Sequence, residues 1–363
     1  MNLDELRKQV DNVDKELIKL ISHRVRLAEQ IGEIKHELGR QVLDKKREEE
    51  VLTSIRRMVR QEGLSELEIE EIFRQIIVTS RDHQQRIEVV FQGATGAYSE
   101  EAAFRHFGAK AQTRACETLD EVFQTVEKDE AEFGIVPIEN SLEGSISRTY
   151  ELILDSSLMV CSELEVKIAH CLIASPGTTL DSIKRIYSHP QALGQCQKFL
   201  KHLNCELIPT YDTAGSVKMI KEKNIANGAA IASLRASEIY NMKVLARDIQ
   251  DNTHNYTRFF VLSKQDTPPS GNDKTSIVFS VKHKPGALYN FLKDLTDSKL
   301  NMTKIESRPT RQQPWDYNFY LDFEGHRKDK KVVDAIARLA ESALFIKVLG
   351  SYPKTVNRRS TQQ

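Results

Sequence analysis

From Leu3 the apolar residues recur at spacings of three and four, as Leu3, Leu6, Val10, Val13, Leu17 and Leu20, then Leu27, Ile31, Ile34 and Leu38. That period marks one face of an α-helix and predicts a single helix of about 36 residues, ~54 Å long at a rise of 1.5 Å per residue. A helix of this length cannot bury its stripe against itself, so a partner helix from a second copy of the chain is expected. Two shorter helices follow, one over 44–60 and one from the capping box Ser65-Glu66-Leu67-Glu68 to about residue 84. At Ile87 the period changes. Short β-branched runs (IEVVF, FGIVPI, VKIAHCLIA, IKRIYS, GAAIAS, RFFVLS) alternate with helical stretches, which predicts an α/β domain with mostly parallel sheets. Segments 161–174 and 244–262 are placed to cross between two lobes and leave a cleft. After the polar linker KQDTPPSGND the order is strand (SIVFSV), helix (287–299), strand (NMTKIESRP), strand (YNFYLDF), helix (330–342), strand (FIKVLGSYP). That is the split βαβ order of a ferredoxin-like α+β domain. The expected domains are 1–86, 87–265 and 272–354.

Composition sharpens this division. Residues 1–86 contain no proline, three glycines and one aromatic residue, Phe73, which suits helix throughout. The 363-residue chain carries 52 basic and 52 acidic side chains, and zero net charge argues against binding nucleic acid or an anionic membrane. No apolar run approaches the ~18 to 20 residues that span a bilayer, and the first residues, MNLDELRKQV, lack a signal-peptide pattern, so a cytoplasmic location is expected. Cys116, Cys161, Cys171, Cys196 and Cys205 are scattered and include no CxxC pair, which predicts reduced thiols and no zinc site.

On the long helix, Arg24 takes a stripe position, four after Leu20 and three before Leu27. A charge on an apolar seam is costly unless it is paired. Arg24 and Lys35 are ~16 Å apart along the axis and can share one small anion, whereas Arg7 is ~42 Å from Lys35 and reaches the same anion only from an antiparallel second chain. Asp44, Arg47 and Glu48 share a face of the second helix, and Ser80 and Gln84 continue the stripe Ile69, Phe73, Ile76 of the third. Spacing alone fits either a coiled coil whose register Arg24 fixes or a buried dianion pocket. Three cations and a glutamine, without a nucleophile, metal cluster or glycine loop, fit a reaction run by positioning and electrostatics.

In the middle of the chain, polar groups gather at strand ends, which in an α/β domain converge on one cleft. The run VVFQGATGAYSEEAA places Gly93, Thr95, Gly96 and Ser99 at a glycine turn that opens a helix, an arrangement suited to an anion. GxGxxG is absent. Further strand ends carry Glu139-Asn140-Ser141, Ser188-His189-Pro190-Gln191 with Gln195 beyond, Thr213, Ser233, and Asn255-Tyr256-Thr257-Arg258-Phe259. His189 and His254 read as acid–base groups or as turn residues, and Glu139 as a general acid or base or a partner for a cation. Thr257 has no adjacent base to make it a nucleophile and reads instead as a positioned hydroxyl. In the last domain, Gly286-Ala287-Leu288 opens a helix and Glu306-Ser307-Arg308-Pro309 ends a strand.

Each part resembles a known family. Arg7, Arg24, Lys35, Asp44, Arg47, Glu48, Ser80 and Gln84 resemble the signature of the all-helical chorismate mutases. The resemblance implies a helix-swapped dimer in which the arginines hold the two carboxylates of chorismate while Lys35 and Gln84 donate to its breaking ether bond. FQGATGAYSEEAA, IVPIENSLEGSI, YSHPQALGQC and NYTRFFVLS resemble prephenate dehydratases over 87–264, Thr-Arg-Phe being the most specific part. This implies a two-lobed domain like that of periplasmic binding proteins. It assigns Thr257 and Glu139 as catalytic, and Gly96, Ser99, Asn140, Ser141, Gln195, Thr213, Ser233, Arg258 and Phe259 as substrate-binding. Ala94 departs from the proline usual in that turn. The last part resembles the ACT regulatory domain, which implies phenylalanine as effector at Gly286, Ala287, Leu288, Glu306, Ser307 and Arg308. Together these imply a bifunctional enzyme making prephenate and then phenylpyruvate, at least dimeric, with no metal or organic cofactor. Two other readings stay open at this level: a dehydratase whose helices only dimerise, and a non-enzymatic sensor of carboxylates.

Overall fold

The computed structural model describes residues 2–38, 44–84, 87–310 and 316–355. Met1–Ile87 and Phe107–Gln112 make one compact unit, and Glu88–His106 with Thr113–Gln363 the other.

In the first unit, α1 (Leu3–Glu37), α2 (Lys45–Glu62) and α3 (Glu66–Gln84) follow the predicted helices closely. The Asp44 side chain starts α2 by accepting from the Arg47 N–H at 3.0 Å, and Gly63, at φ 69°, ends it. Where α1 faces α3 its residues are small: Ala28 and Gly32 are buried. The predicted stripe has no cover within one chain, for Leu3, Val10, Leu20 and Ile34 each leave more than half of their surface exposed. No described helix is long and apolar enough to cross a membrane.

The second unit contains three sheets. The first comprises β1 (Ile87–Gln92), β2 (Ala111–Cys116), β3 (Phe133–Asn140), the short β4 (Gly144–Ser145), β5 (Met159–Lys167) and β11 (Tyr256–Ser263), in the order β2-β1-β3-β11-β5 with β4 on β3. The second comprises β6 (Cys171–Ala174), β7 (Arg185–Ser188), β8 (Glu206–Pro209), β9 (Gly228–Ala232) and β10 (Lys243–Ala246), in the order β10-β6-β9-β7-β8. Helices α4 (Tyr98–Phe107), α5 (Leu119–Glu127) and α6 (Ser147–Asp155) belong to the first lobe. To the second belong α7 (Pro190–Gln195), α8 (Gln197–Leu200), α9 (Thr213–Glu222) and α10 (Leu234–Ile239).

The sheets are mixed, which corrects the expectation of mostly parallel pairing. The pairs β1–β3, β7–β8 and β7–β9 are parallel, but β11 runs antiparallel to both β3 and β5, and β6 antiparallel to β9 and β10. The chain crosses between lobes from β5 to β6 and returns from β10 to β11. The returning strand enters the first sheet against the direction of its neighbours, so it cannot pair in parallel. Both crossings fall where the sequence placed them.

The third sheet, β12 (Asp273–Ser280), β13 (Met302–Pro309), β14 (Tyr317–Glu324) and β15 (Phe345–Pro353), is antiparallel in the order β13-β14-β12-β15. With α11 (Ala287–Asp297) and α12 (Lys330–Ser342) it completes the predicted ferredoxin-like order. Alternation along the strands gives it two buried faces. Ile277, Phe279, Leu321 and Phe323 meet Phe291, Leu295, Ala335 and Leu339 of the helices. Val278, Tyr320, Leu349 and Tyr352 of the opposite face join Val136, Val160 and Phe260 of the first lobe in one core. Gly350 makes this second seam possible, since a Cβ there would lie 2.1 Å from the Val160 carbonyl oxygen.

Candidate active sites and effector site

In the helical unit, Arg24 of α1 donates from Nη1 to the Ile76 carbonyl at 3.3 Å and to the Ser80 hydroxyl. Ser80 in turn donates to the same carbonyl at 2.8 Å. Burial lowers the pKa of the Arg24 guanidinium, but an arginine so placed stays charged. Eleven residues on, Lys35 donates from Nζ to Oε1 of Gln84 at 3.2 Å. Gln84 therefore accepts on its oxygen, and its Nε2 donor is left for a ligand beside the Lys35 ammonium. A single chain thus brings Arg24, Lys35, Ser80 and Gln84 together at the α1–α3 contact. The other predicted residues are engaged elsewhere. Asp44 caps α2, Arg47 is exposed and pairs with Glu50 at 3.2 Å, and Glu48 pairs with Arg81 at 3.1 Å. Arg7, exposed near the start of α1, pairs with Asp4 at 3.5 Å, ~26 Å along the helix from Arg24.

Between the two lobes lies a cleft of about 220 Å3, lined by Ser99, Asn140, Gln195, Thr213, Thr257 and Phe259 among others. Its rim is set by the glycine turn. Gly93 and Gly96 take φ of 109° and 92°, and a Cβ on Gly96 would lie 2.9 Å from the Cα of Ala236. Ser233 caps α10 by accepting from Ala236 and donates to the Gly96 carbonyl at 2.7 Å, while Asp212, the cap of α9, accepts from the Ala94 N–H at 2.7 Å. The turn of one lobe is thereby fastened to helix caps of the other. Gly96 and Ser233 shape the wall without lining the cleft, and Ser141 locks the turn after β3 by accepting from the Tyr256 N–H at 2.9 Å and donating to the His254 carbonyl at 3.1 Å.

The hydrogen bonds inside the cleft have a direction. Oδ1 of Asn140 accepts from the backbone N–H groups of Leu142 at 3.0 Å and Glu143 at 3.1 Å. That orientation turns Nδ2 toward Oδ1 of Asn255, at 2.8 Å, and Oγ1 of Thr257, at 3.0 Å. Thr257 is consequently an acceptor from Asn140, and its own proton remains for the cleft. Asn255 passes the direction on by donating to Oε1 of Gln195 at 2.8 Å. The same oxygen lies 3.1 Å from Nε2 of His170, so this nitrogen carries the imidazole proton and Nδ1 faces the Tyr98 hydroxyl at 3.2 Å. Burial, against a smaller opposing effect of Gln195, lowers the His170 pKa and keeps the ring neutral. Sequence reading missed His170 and Tyr98. The signal was a histidine inside the apolar run VKIAHCLIA. His189 does line the cleft, but its Nδ1 accepts from the Gln191 N–H at 3.3 Å and caps α7.

Comparisons with known proteins agree along the whole chain. Family models match in order: chorismate mutase type II at residues 6–85, prephenate dehydratase at 89–267 and the ACT domain at 275–341. The bifunctional chorismate mutase/prephenate dehydratase of Aquifex aeolicus is 38% identical over 360 residues, which cover 98% of each chain. The chain belongs to the bifunctional chorismate mutase/prephenate dehydratase family. A namesake in Neisseria gonorrhoeae is 36% identical and covers 98% of this chain and 99% of its own. A prephenate dehydratase from Arthrobacter aurescens, solved in complex with L-Phe, superposes with a TM-score of 0.68 at 34% identity, over 74% of this chain and 90% of its own.

Besides Gly96, Ser141 and Ser233, the predicted residues Glu139 and Arg258 also lie outside the cleft lining. Asn140 and Thr257 face the cleft, and because side chains alternate along a strand, their neighbours Glu139 and Arg258 face the ACT sheet instead. Glu139 accepts from Lys304 of β13 at 2.6 Å. Arg258 binds Glu163 at 2.6 Å and Asp322 of β14 at 2.8 Å, and donates to the Tyr352 hydroxyl at 3.3 Å. Burial alone would lower the Arg258 pKa, but Tyr352, Asp322 and Glu163 outweigh it and hold the guanidinium charged. The same alternation divides the predicted effector residues. Glu306 accepts from Ser145 of the dehydratase domain and pairs with Lys304 at 3.3 Å and Arg308 at 2.8 Å, and Arg308 lies 4.6 Å above the Tyr150 ring. Ser307, between them, points to the helix side and is exposed. Gly286, at φ 81°, opens α11, and Ala287 and Leu288 line a separate cavity of about 130 Å3 with Phe319 and Tyr317.

The seam between the two domains should be acid-labile. Burial raises the Asp322 pKa, but Arg258 and Lys274 outweigh it and hold the carboxyl below its usual range; Glu306 is lowered in the same way by Ser145, Lys304 and Arg308. A depressed carboxyl contributes stability above its unfolded value and loses it as pH falls through the folded one. Thermal unfolding followed from about pH 6 down to about pH 3 should therefore show a steep loss of stability, and Asp322→Asn should flatten that slope. An unchanged slope in the variant would remove Asp322 from the account.

Proposed function

We propose that this chain rearranges chorismate to prephenate in its helical unit and then converts prephenate to phenylpyruvate in the cleft between the α/β lobes, under feedback by phenylalanine at the ACT domain. The observation that carries the second step is the Asn140–Thr257 hydrogen bond, whose direction leaves the threonine proton for the substrate. Prephenate loses CO2 and its ring hydroxyl, and aromatisation drives the step. The domain has to hold the two carboxylates and protonate the departing oxygen. Thr257 is the donor. Asn140, Asn255, Gln195 and neutral His170 hold it in that polarity, and Ser99 and Thr213 line the space for the carboxylates. Glu139 has no place in this chemistry; with Arg258, Lys304 and Glu306 it ties the dehydratase strands to the ACT sheet, which gives effector binding a physical route to the cleft.

In the mutase, Lys35 and Nε2 of Gln84 stabilise the ether oxygen as its bond breaks and Arg24 holds a carboxylate; Arg47 joins it by giving up its exposed pair with Glu50 for the substrate. Arg7 completes the site from a second copy. The exposed apolar stripe of α1 and the distance from Arg7 to Arg24 both support a dimer of interlocked helices. Mixing tests it. Arg7→Ala and Lys35→Ala chains, each inactive as mutases, should regain turnover when unfolded and refolded together, because one mixed site then has both residues. No recovery, with mixed dimers present, would place Arg7 outside the site.

A further inference from the structure

We propose that Gly32 is a positioning residue of the mutase site, whose missing side chain lets the end of α3 approach α1 closely enough to set Gln84 against Lys35. Glycine inside a helix costs about 1 kcal/mol relative to alanine, so its place in α1 calls for a reason. Left-handed geometry is not the reason, for Gly32 lies within the regular helix. The reason is space. A Cβ at Gly32 would lie 2.5 Å from the carbonyl oxygen of Gln84, 2.7 Å from its Cα and 3.0 Å from its carbonyl carbon. All three are backbone atoms at the last residue of α3, and unlike the end of a flexible side chain they cannot swing aside. A methyl group would push the end of α3 away.

What that end carries gives the contact its meaning. The side chain of Gln84 is held 3.2 Å from Lys35, one turn beyond Gly32, while Arg24 meets Ser80 one turn earlier on α3. Buried Ala28 lies between these two contacts. A hydrogen bond of this length is lost with a shift of about 1 Å, and misplacing a catalytic group by that much can cost about 10²-fold in rate.

The proposal rests on the reading of Gln84 as a donor to the reacting ether oxygen, and the test separates the two. In the full-length enzyme, Gly32→Ala should lower mutase kcat by about 10- to 100-fold with a much smaller change in KM, since the carboxylates are held by arginines; prephenate turnover should be unchanged. Added to Gln84→Ala, the same substitution should cost almost nothing further. A full second loss in that background, or loss of both activities, would mean that Gly32 serves the fold alone and would overturn the proposal. Full mutase activity in Gly32→Ala, with Gln84→Ala impaired, would overturn it as well. If Gln84→Ala keeps full activity, the reading of Gln84 fails and the proposal falls with it.

Discussion

Thr257→Val is expected to lower prephenate turnover by about 10²- to 10⁴-fold, the usual worth of a positioned proton donor, and to leave the rearrangement of chorismate unchanged. Valine keeps the branched shape and removes the hydroxyl. The Asn140 amide would then face a methyl group where it now donates at 3.0 Å. The loss is that of the proton source for the departing oxygen, since Nδ2 of Asn140 keeps its other acceptors, Oδ1 of Asn255 at 2.8 Å and the Tyr256 carbonyl at 3.2 Å. Thr257→Ser restores the hydroxyl in the same bond and should keep most of the rate. Phenylpyruvate formation from prephenate measures both variants. A valine variant that turns over at the normal rate would show that the hydroxyl does not donate.

The second large effect belongs to the helical unit. Lys35→Ala should reduce mutase turnover by about 10²- to 10³-fold, as expected when one preorganised charged donor is removed from a developing oxyanion, with prephenate turnover untouched. Lys35 also orients Gln84 through the 3.2 Å bond to Oε1, so the substitution releases a second donor from its place. Chorismate consumption checks it, and an unaffected rate would return the helices to a purely dimerising role.

How much of this was legible in the sequence depends on what each inference needed. Periodicity sufficed for the helices, because a stripe repeating every three to four residues from Leu3 to Leu38 has one regular solution. Residue order sufficed for the ferredoxin-like sheet and the two lobe crossings. Strand direction did not follow, since nothing local distinguishes β11 from a parallel strand; its antiparallel pairing is a consequence of the return from the second lobe. Facing was likewise hidden. Glu139-Asn140, Thr257-Arg258 and Glu306-Ser307 each read as one motif, yet adjacent strand residues point to opposite faces, so one of each pair serves the cleft or helix side and the other the seam between domains. Arg24, Lys35, Ser80 and Gln84 were found because helical spacing does encode facing. His170, in the link between β5 and β6, was missed because a histidine in an apolar run is usually a satisfied core residue, and its tie to Gln195 joins positions 25 residues apart.

Two consecutive reactions at two sites of one protein leave a distinct product course. Feeding chorismate alone to the purified protein and following the products by mass over time tests it most directly. Transient prephenate followed by phenylpyruvate is expected, with phenylalanine suppressing the second step. Prephenate that accumulates and is never consumed would contradict the assignment of the cleft, and chorismate left intact by a protein that still consumes added prephenate would contradict the assignment of Arg24, Lys35 and Gln84.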